Sequence, residues 1–330
     1  MSLAVLKPGV LTTIQDLGRP GWQRYGIPIG GAVDAFAARV ANALVGNDDG
    51  AAMLEMALVG PELRCEDGAL VALCGAGFDL TVAGQPVPSD RPVAVAPGEV
   101  LAFLPRRAGA RAWLAVAGGL DVPVVLGSRS TYVRGRLGGF EGRPLIAGDR
   151  LKTGAPSEWA AQLAARLRAE GRRHVAWSVR PETLGRKARD DSIRVVRAPE
   201  WDRFTAESQR TLCSTPYVVT RDADRIGLRL EGAGLSLRQP REEISSGMTV
   251  GIVQVPPSGQ PIILLVGRQS VGGYPRIAAV ASVEFGRLAQ FKPGDRMTFR
   301  EISVREAHEL LLERERDFVR VKTGLGRMVA

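Results

Sequence analysis

Apolar residues along the chain come mostly in short runs broken by glycine, proline or charged turns, and seldom recur at the spacing of a helix face. Read as strands, the runs fall at Ala69–Leu73, Phe78–Val82, Pro92–Val95, Val100–Leu104 and Ala112–Val116 in the first half. In the second half they fall at Ile193–Val196, Val218–Thr220, Leu228–Leu230, Ile262–Val266 and Met297–Arg300. Ala-Pro-Gly-Glu at 96–99, Ala-Gly-Asp-Arg at 147–150 and Lys-Pro-Gly-Asp-Arg at 292–296 sit where hairpins would close. Many short strands with turns between them predict barrels or sandwiches rather than alternating strand and helix.

Helical spacing is confined to a few places. Asp34 can cap a helix running to Val45, with Phe36, Val40 and Leu44 on one face and Gly46 ending it. Ser157 can cap a second running to Gly171, and further helices are expected at about Ala198–Cys213 and Val304–Asp317. The helix after Ser157 occupies the least strand-like part of the chain, which makes 156–190 the expected joint between domains at 1–155 and 191–330. A length of 330 residues suits two domains. The halves also rhyme: Leu54–Leu63 resembles Gly227–Leu235, and both halves end on a Gly-Asp-Arg turn followed by Leu151 or Met297.

Composition narrows the function. No apolar run approaches the roughly 18 residues of a membrane span, and the N-terminal residues lack the pattern of a secretory signal, so a soluble cytoplasmic protein is expected. Cys65, Cys74 and Cys213 form no C-x-x-C pair, and His174 and His308 do not complete a zinc spacing, so no metal site is expected. Cys74 lies in an apolar run and reads as a buried, inert thiol. The net charge of +9 raises the question of nucleic acid. Only five of the 44 basic residues are lysine, and the arginines are scattered, so the charge reads as compositional bias rather than a nucleic-acid footprint.

Four stretches concentrate polar groups among glycines. Thr12–Gly21 offers Gln15, Asp16 and Arg19 as ligand-binding candidates, with an Asx-turn at Asp16 as the structural alternative. Gly30–Asn42 enters the first helix from a double glycine, where Asp34 reads as the cap. Val125–Thr131 gathers Arg129, Ser130 and Thr131 beside Ser128; Arg129 could hold a carboxylate or phosphate through its planar fork, or the stretch could be a turn bonding its own backbone. Val255–Pro275 joins an apolar strand to Arg268, Gln269 and Tyr274, with Gly272 and Gly273 letting backbone approach a ligand and Gln254 just before it. No Walker loop, dinucleotide fingerprint, nucleophile elbow or zinc-protease helix is present in the sequence.

Taken together these runs resemble one family over nearly the whole chain: the allophanate-hydrolase-subunit-2-like, or biotin-dependent carboxyltransferase-like, proteins, which include the C-subunit of 5-oxoprolinase and Kip-type antagonists. The resemblance is carried by TTIQDLGRPG, GGAVDAFAARVANALVGN, LEMALVGPEL, LAVAGGLDVPVVLGSRST, GGFEGRPLIAGD, DRIGLRLEG and GIVQVPPSGQPIILL with GGYPRIAAV. It implies two tandem cyclophilin-like β-barrels with a few short helices, and function in complex with a subunit-1-like companion. It also implies that Arg268, Gln269 and Tyr274 act at a catalytic pocket, with Gln15, Asp16, Arg19, Arg129, Ser130, Thr131, Gln254, Gly272 and Gly273 binding a small amide or carboxylate. The chain departs from the family pattern at Gly267, Ser246 and Ser270, where Asp, Glu and Thr are usual, and carries Glu284 where a shorter acid is usual.

Three functions follow from the resemblance. The first is a subunit of an ATP-dependent 5-oxoprolinase, with ATP held largely elsewhere in a complex that could include a lactam-utilisation subunit. The second is a carboxyltransferase-like component acting on urea or a related amide, with carboxybiotin delivered in trans. The third is a non-catalytic regulator that binds a subunit-1-like partner, a role favoured by the missing carboxylates. A homo-oligomer is also possible under any of them.

Overall fold

The structure, a computed structural model, describes residues 1–185, 192–239 and 244–327. The chain divides into two compact units: Met1–Arg19 with Gly30–Leu184 and Asp317–Ala330, and Pro20–Ile29 with Gly185–Arg316.

The first unit contains eleven strands among its described residues: β1 (Ser2–Lys7), β2 (Leu11–Gln15), β3 (Met53–Ala57), β4 (Glu62–Cys65), β5 (Ala69–Gly77), β6 (Leu80–Val82), β7 (Gln85–Val87), β8 (Val93–Val95), β9 (Val100–Phe103), β10 (Ala108–Val116) and β11 (Arg150–Lys152). They form a six-stranded sheet in the order β11-β1-β4-β9-β6-β7 and a five-stranded sheet in the order β2-β3-β10-β5-β8. Alternation along β1 buries Leu3 and Val5 and turns their neighbours outward, whereas β5 is buried along almost its whole length. Leu3, Ile14, Met56, Leu63, Val71, Leu101 and Leu114 meet in one core, each worth about 1.5–3 kcal/mol on burial.

The second unit closes its strands into a barrel and a ribbon. They are β12 (Ser192–Arg197), β13 (Tyr217–Val219), β14 (Gly227–Glu231), β15 (Ser246–Gly247), β16 (Ile252–Gln254), β17 (Ile262–Leu264), β18 (Val271–Gly272), β19 (Arg276–Val280) and β20 (Arg296–Glu301). Seven of these close a barrel in the order β12-β19-β16-β17-β14-β13-β20, while β15 pairs with β18 alone. The protein is thus mainly β with a seven-stranded barrel. The first unit is two sheets rather than one closed ring, which differs from the expected pair of barrels.

The helices follow their caps. In α1 (Ala35–Leu44) the Asp34 carboxylate accepts the Ala37 N–H at 3.0 Å, and in α2 (Glu158–Ala169) the Ser157 hydroxyl accepts the Ala160 N–H. Helix α2, in the stretch read as a joint, belongs to the first unit and packs on β5 and β8. Helix α3 (Ala206–Ser214) starts later than expected because Thr205 caps it, and a single 3-10 turn, Trp201–Arg203, precedes it. A short α4 (Phe285–Leu288) was not expected. Helix α5 (Val304–Arg327) runs past the expected end at Asp317. Its buried Phe318 packs edge-on to Phe36, ring centroids 6.0 Å apart, under the Arg39 guanidinium, which gives the extra turns an apolar anchor.

The rhyme between the halves is structural. Asp149 accepts the Ile146 N–H at 2.8 Å and Asp295 accepts the Lys292 N–H at 3.0 Å. Gly148 and Asp149 pair their backbone with Val5, just as Gly294 and Asp295 pair theirs with Val219. Both glycines hold a positive φ, near 94° and 88°, which the turn requires.

Candidate functional site

In the first unit, the two polar stretches singled out in the sequence fold against each other. Strand β2 delivers Gln15 and Asp16 to the loop of Ser128–Thr131. The Asp16 carboxylate accepts from the Ser128 hydroxyl at 2.7 Å, the Arg129 N–H at 2.6 Å, the Gly18 N–H at 2.7 Å and the Ser130 hydroxyl. Asp16 is therefore a buried hub with its acceptor capacity spent on the protein, and the Asx-turn alternative describes its bond to Gly18. Gln15 donates to Thr13 Oγ1 and the Thr131 carbonyl, and Thr131 bonds the Ile14 carbonyl. Arg19 donates to the Ser130 carbonyl from full burial; burial lowers its pKa and the Asp16 charge opposes that shift.

Of this group only Arg129 reaches solvent. Its Nε donates to the Val122 carbonyl at 2.8 Å, and its outer nitrogen lies 4.0 Å from Asp121. It lines a recess of about 310 Å³ with Asp48, Asp121 and the backbone of Gly118, Gly119 and Gly154.

In the second unit, the glycine-rich stretch after β17 folds back on Met248. Arg268 donates from Nε and Nη2 to the Met248 carbonyl at 3.2 and 3.1 Å, and the Met248 N–H donates to the Ser270 carbonyl at 2.9 Å. Ser246 pairs with Gly272 across the ribbon, and Gly267, whose N–H donates to the Arg225 carbonyl, directly precedes Arg268. The three departures from the family pattern at Ser246, Gly267 and Ser270 thus cluster on the segments that enclose Met248. Burial pushes the Arg225 guanidinium down to about 10. Gln254 is buried, its amide nitrogen 3.4 Å from both the Met248 sulfur and the Tyr274 carbonyl. A Cβ at Gly272 would lie 2.9 Å from that nitrogen, so a larger residue there would displace the Gln254 amide.

Beside this cluster opens a groove of about 640 Å³, lined by Phe204, Leu235, Val255, Pro257, Gly273 and Tyr274 among others. The structure brings Gly273 and Tyr274 to the groove; Gln254, Arg268 and Gly272 do not line it, and Gln254 meets it through the Tyr274 carbonyl. Gln269 is exposed and does not line it. Glu284 is elsewhere in the barrel, fully buried between Arg194 and Arg287.

Two organising acids, Glu55 and Glu200, were not singled out in the sequence. Glu55 is buried in β3 and accepts both the Val33 N–H and the Trp113 indole N–H at 3.0 Å, fixing the chain that leads into α1. Glu200 takes Arg276 in a two-point pair at 2.6 and 2.7 Å, and that bonding holds its carboxyl below the usual range. Both pairings join residues far apart in sequence. An acid within a hydrophobic strand is the one sign that could have flagged Glu55.

Residues 25–301 match the carboxyltransferase domain family, subdomains A and B. The chain belongs to this family. Among carboxyltransferase-domain relatives, the 5-oxoprolinase C-subunit of Escherichia coli is 36% identical over 316 residues, spanning 96% of each chain. The 5-oxoprolinase C-subunit of Haemophilus influenzae is 35% identical, over 92% of each chain. The crystal structure of K. lactis urea amidolyase superposes with a TM-score of 0.86 at 27% identity, covering 97% of this chain and 20% of that one. This carboxyltransferase-domain chain is therefore similar along its length to the C-subunit of 5-oxoprolinase. No group of three or more potential metal ligands occurs among its described residues, and none of its described helices is long and apolar enough to cross a membrane.

Proposed function

We propose that the chain is a subunit of a 5-oxoprolinase complex, which opens 5-oxoproline to glutamate at the expense of ATP. The observation that carries this reading is the likeness to the E. coli C-subunit, which covers 96% of each chain. Two cyclophilin-like domains meeting a subunit-1-like companion and a lactam-utilisation subunit are part of the same reading.

Neither the recess nor the groove fits a triphosphate. Among the described residues, no lysine or arginine lines the groove of the second unit, and the recess of the first sets Asp48 and Asp121 against Arg129 alone. ATP is accordingly assigned to the partner subunits. The chain itself binds and orients the lactam: Tyr274 and Gly273 at the groove, with Gln254 bonded to the Tyr274 carbonyl and Arg268 to the neighbouring Met248 carbonyl. The groove is of a size that suits small organic ligands. Gln269 would act at this site only on a ligand that reaches the outer side of the loop.

A second reading is supported by the superposition on urea amidolyase. Under it the chain acts on urea or a related amide, and carboxybiotin supplies the carboxyl group. The largely apolar groove, with Ser236 and Ser258 in its lining, suits the bicyclic ring of such a carrier.

Deletion of the gene separates the readings. Cells lacking the chain should accumulate 5-oxoproline and regain the ability to consume it when the gene is restored. Unchanged 5-oxoproline with impaired use of urea would favour the second reading, and no change in either would remove both.

A further inference from the structure

Two arginines are exposed by 2% or less and keep guanidinium nitrogens that meet no acceptor among the described residues: Arg19 in the first unit and Arg268 in the second. Their surroundings separate them. Arg19 has the charge of the Asp16 carboxylate opposing the effect of burial in part, so it has a counter-charge within the protein. Arg268 spends Nε and Nη2 on one neutral acceptor, the Met248 carbonyl, and leaves Nη1 unpartnered. Burial depresses its pKa, and no carboxylate among the described residues pushes back. Its surroundings are apolar: Met248, Leu265 and Val266 are buried beside it in the chain or in contact.

A buried cation without a counter-charge is among the most costly arrangements a fold can hold, and buried N–H groups are almost always paired. A second group at the same place is also unspent. The Ser270 hydroxyl is buried with no partner among the described residues, and Ser270 is tied through its carbonyl to the N–H of the same Met248. Both residues are thus tied to Met248, one through its carbonyl and the other through its N–H, and each keeps an unspent donor, with a single positive charge between them. The neighbouring Gln254 nitrogen is already directed at Met248 and Tyr274.

We infer that Arg268 and Ser270 form a receptor for the carboxylate of a small monoanionic ligand bound by the second unit. One uncompensated charge calls for one negative charge, and two oxygens suit a guanidinium edge plus a hydroxyl. A dianion such as phosphate would leave an excess negative charge in an apolar surround. Arg268 is a binding residue here and takes no part in proton transfer. The inference rests on the proposed function and deepens it by naming the charge class of the ligand, and its test stands apart from turnover.

The melting temperature of the isolated full chain is read in chloride-free buffer against acetate and 5-oxoproline, with 2-pyrrolidinone as a lactam lacking the carboxylate. Both carboxylates should raise it by several degrees at about a hundredfold excess over their Kd, and 2-pyrrolidinone should not. Arg268→Met, which replaces the charge by an apolar chain, should melt at or above the wild type without carboxylate and lose the response. If that variant does not fold, Ser270→Ala should fold and need roughly tenfold more carboxylate for the same shift. A wild type that ignores both carboxylates, or variants that respond as it does, would overturn the inference. A carboxylate response without turnover in the assembled complex would leave the receptor standing and remove the enzymatic reading, and turnover without a response would do the reverse.

Discussion

Asp16 and Arg129 meet through a carboxylate and a backbone N–H, 2.6 Å apart, while the Arg129 guanidinium turns the other way to the Val122 carbonyl. One contact builds the loop and the other leaves a cation at the rim of a recess. The two side chains should therefore respond to truncation to very different degrees.

Asp16→Ala strands at least three donors in a buried setting and should destabilise the chain by about 3 kcal/mol or more. Arg129→Ala should cost within about 0.5–1 kcal/mol, because its ion pair with Asp121 is exposed and loose. Urea denaturation of both variants checks the contrast. Equal destabilisation would show that Arg129 holds the loop through its side chain.

The pair of Glu200 with Arg276 should appear on the acid side of the stability profile. The bonding depresses the Glu200 pKa in the folded protein, so its contribution is fully present above the unfolded value near 4.3 and is lost as pH falls through the lower folded value. Glu200→Gln should cost about 1–3 kcal/mol at neutral pH, with the difference from wild type shrinking toward pH 3. A pH-independent difference would mean that the charge is not what matters.

Phe318 should anchor the last turns of α5. Phe318→Ala should cost about 3 kcal/mol and expose the end of the helix to amide exchange, since both the ring contact with Phe36 and the Arg39 stacking are removed. Normal protection in residues 317–327 of the variant would contradict this.

The thiols should be silent. Burial raises the Cys65 pKa to about 11 and also raises that of Cys213, and Cys74 is fully buried. An aromatic disulfide reagent at pH 8 should label none of them within minutes in the native protein and all three after denaturation. Rapid labelling of native Cys65 would refute the assigned burial.

The strands read from the sequence include ones buried along their length, such as β5 and β10, and alternating ones, such as β9, β12 and β20. Strands β3 and β4 carry acids, β2 carries Thr12, Thr13 and Gln15, and β15 and β18 have two residues each, so apolar runs did not mark them. Caps at Asp34 and Ser157 were legible because a cap is local, whereas the end of α5 depends on Phe36, far away in sequence. The polar stretches around Asp16 and Arg129 were recognisable as one kind of region, and the structure joins them. What the sequence could not supply was direction. Arg268 points inward to Met248 and Gln269 outward, although they are adjacent.

The most direct test of the proposed function is glutamate release from 5-oxoproline and ATP by this chain assembled with its subunit-1-like companion and lactam-utilisation subunit, measured with and without the chain. Glutamate and ADP should form together and only when the chain is present. An assembled complex that forms no glutamate, or forms it equally well without this chain, would contradict the assignment.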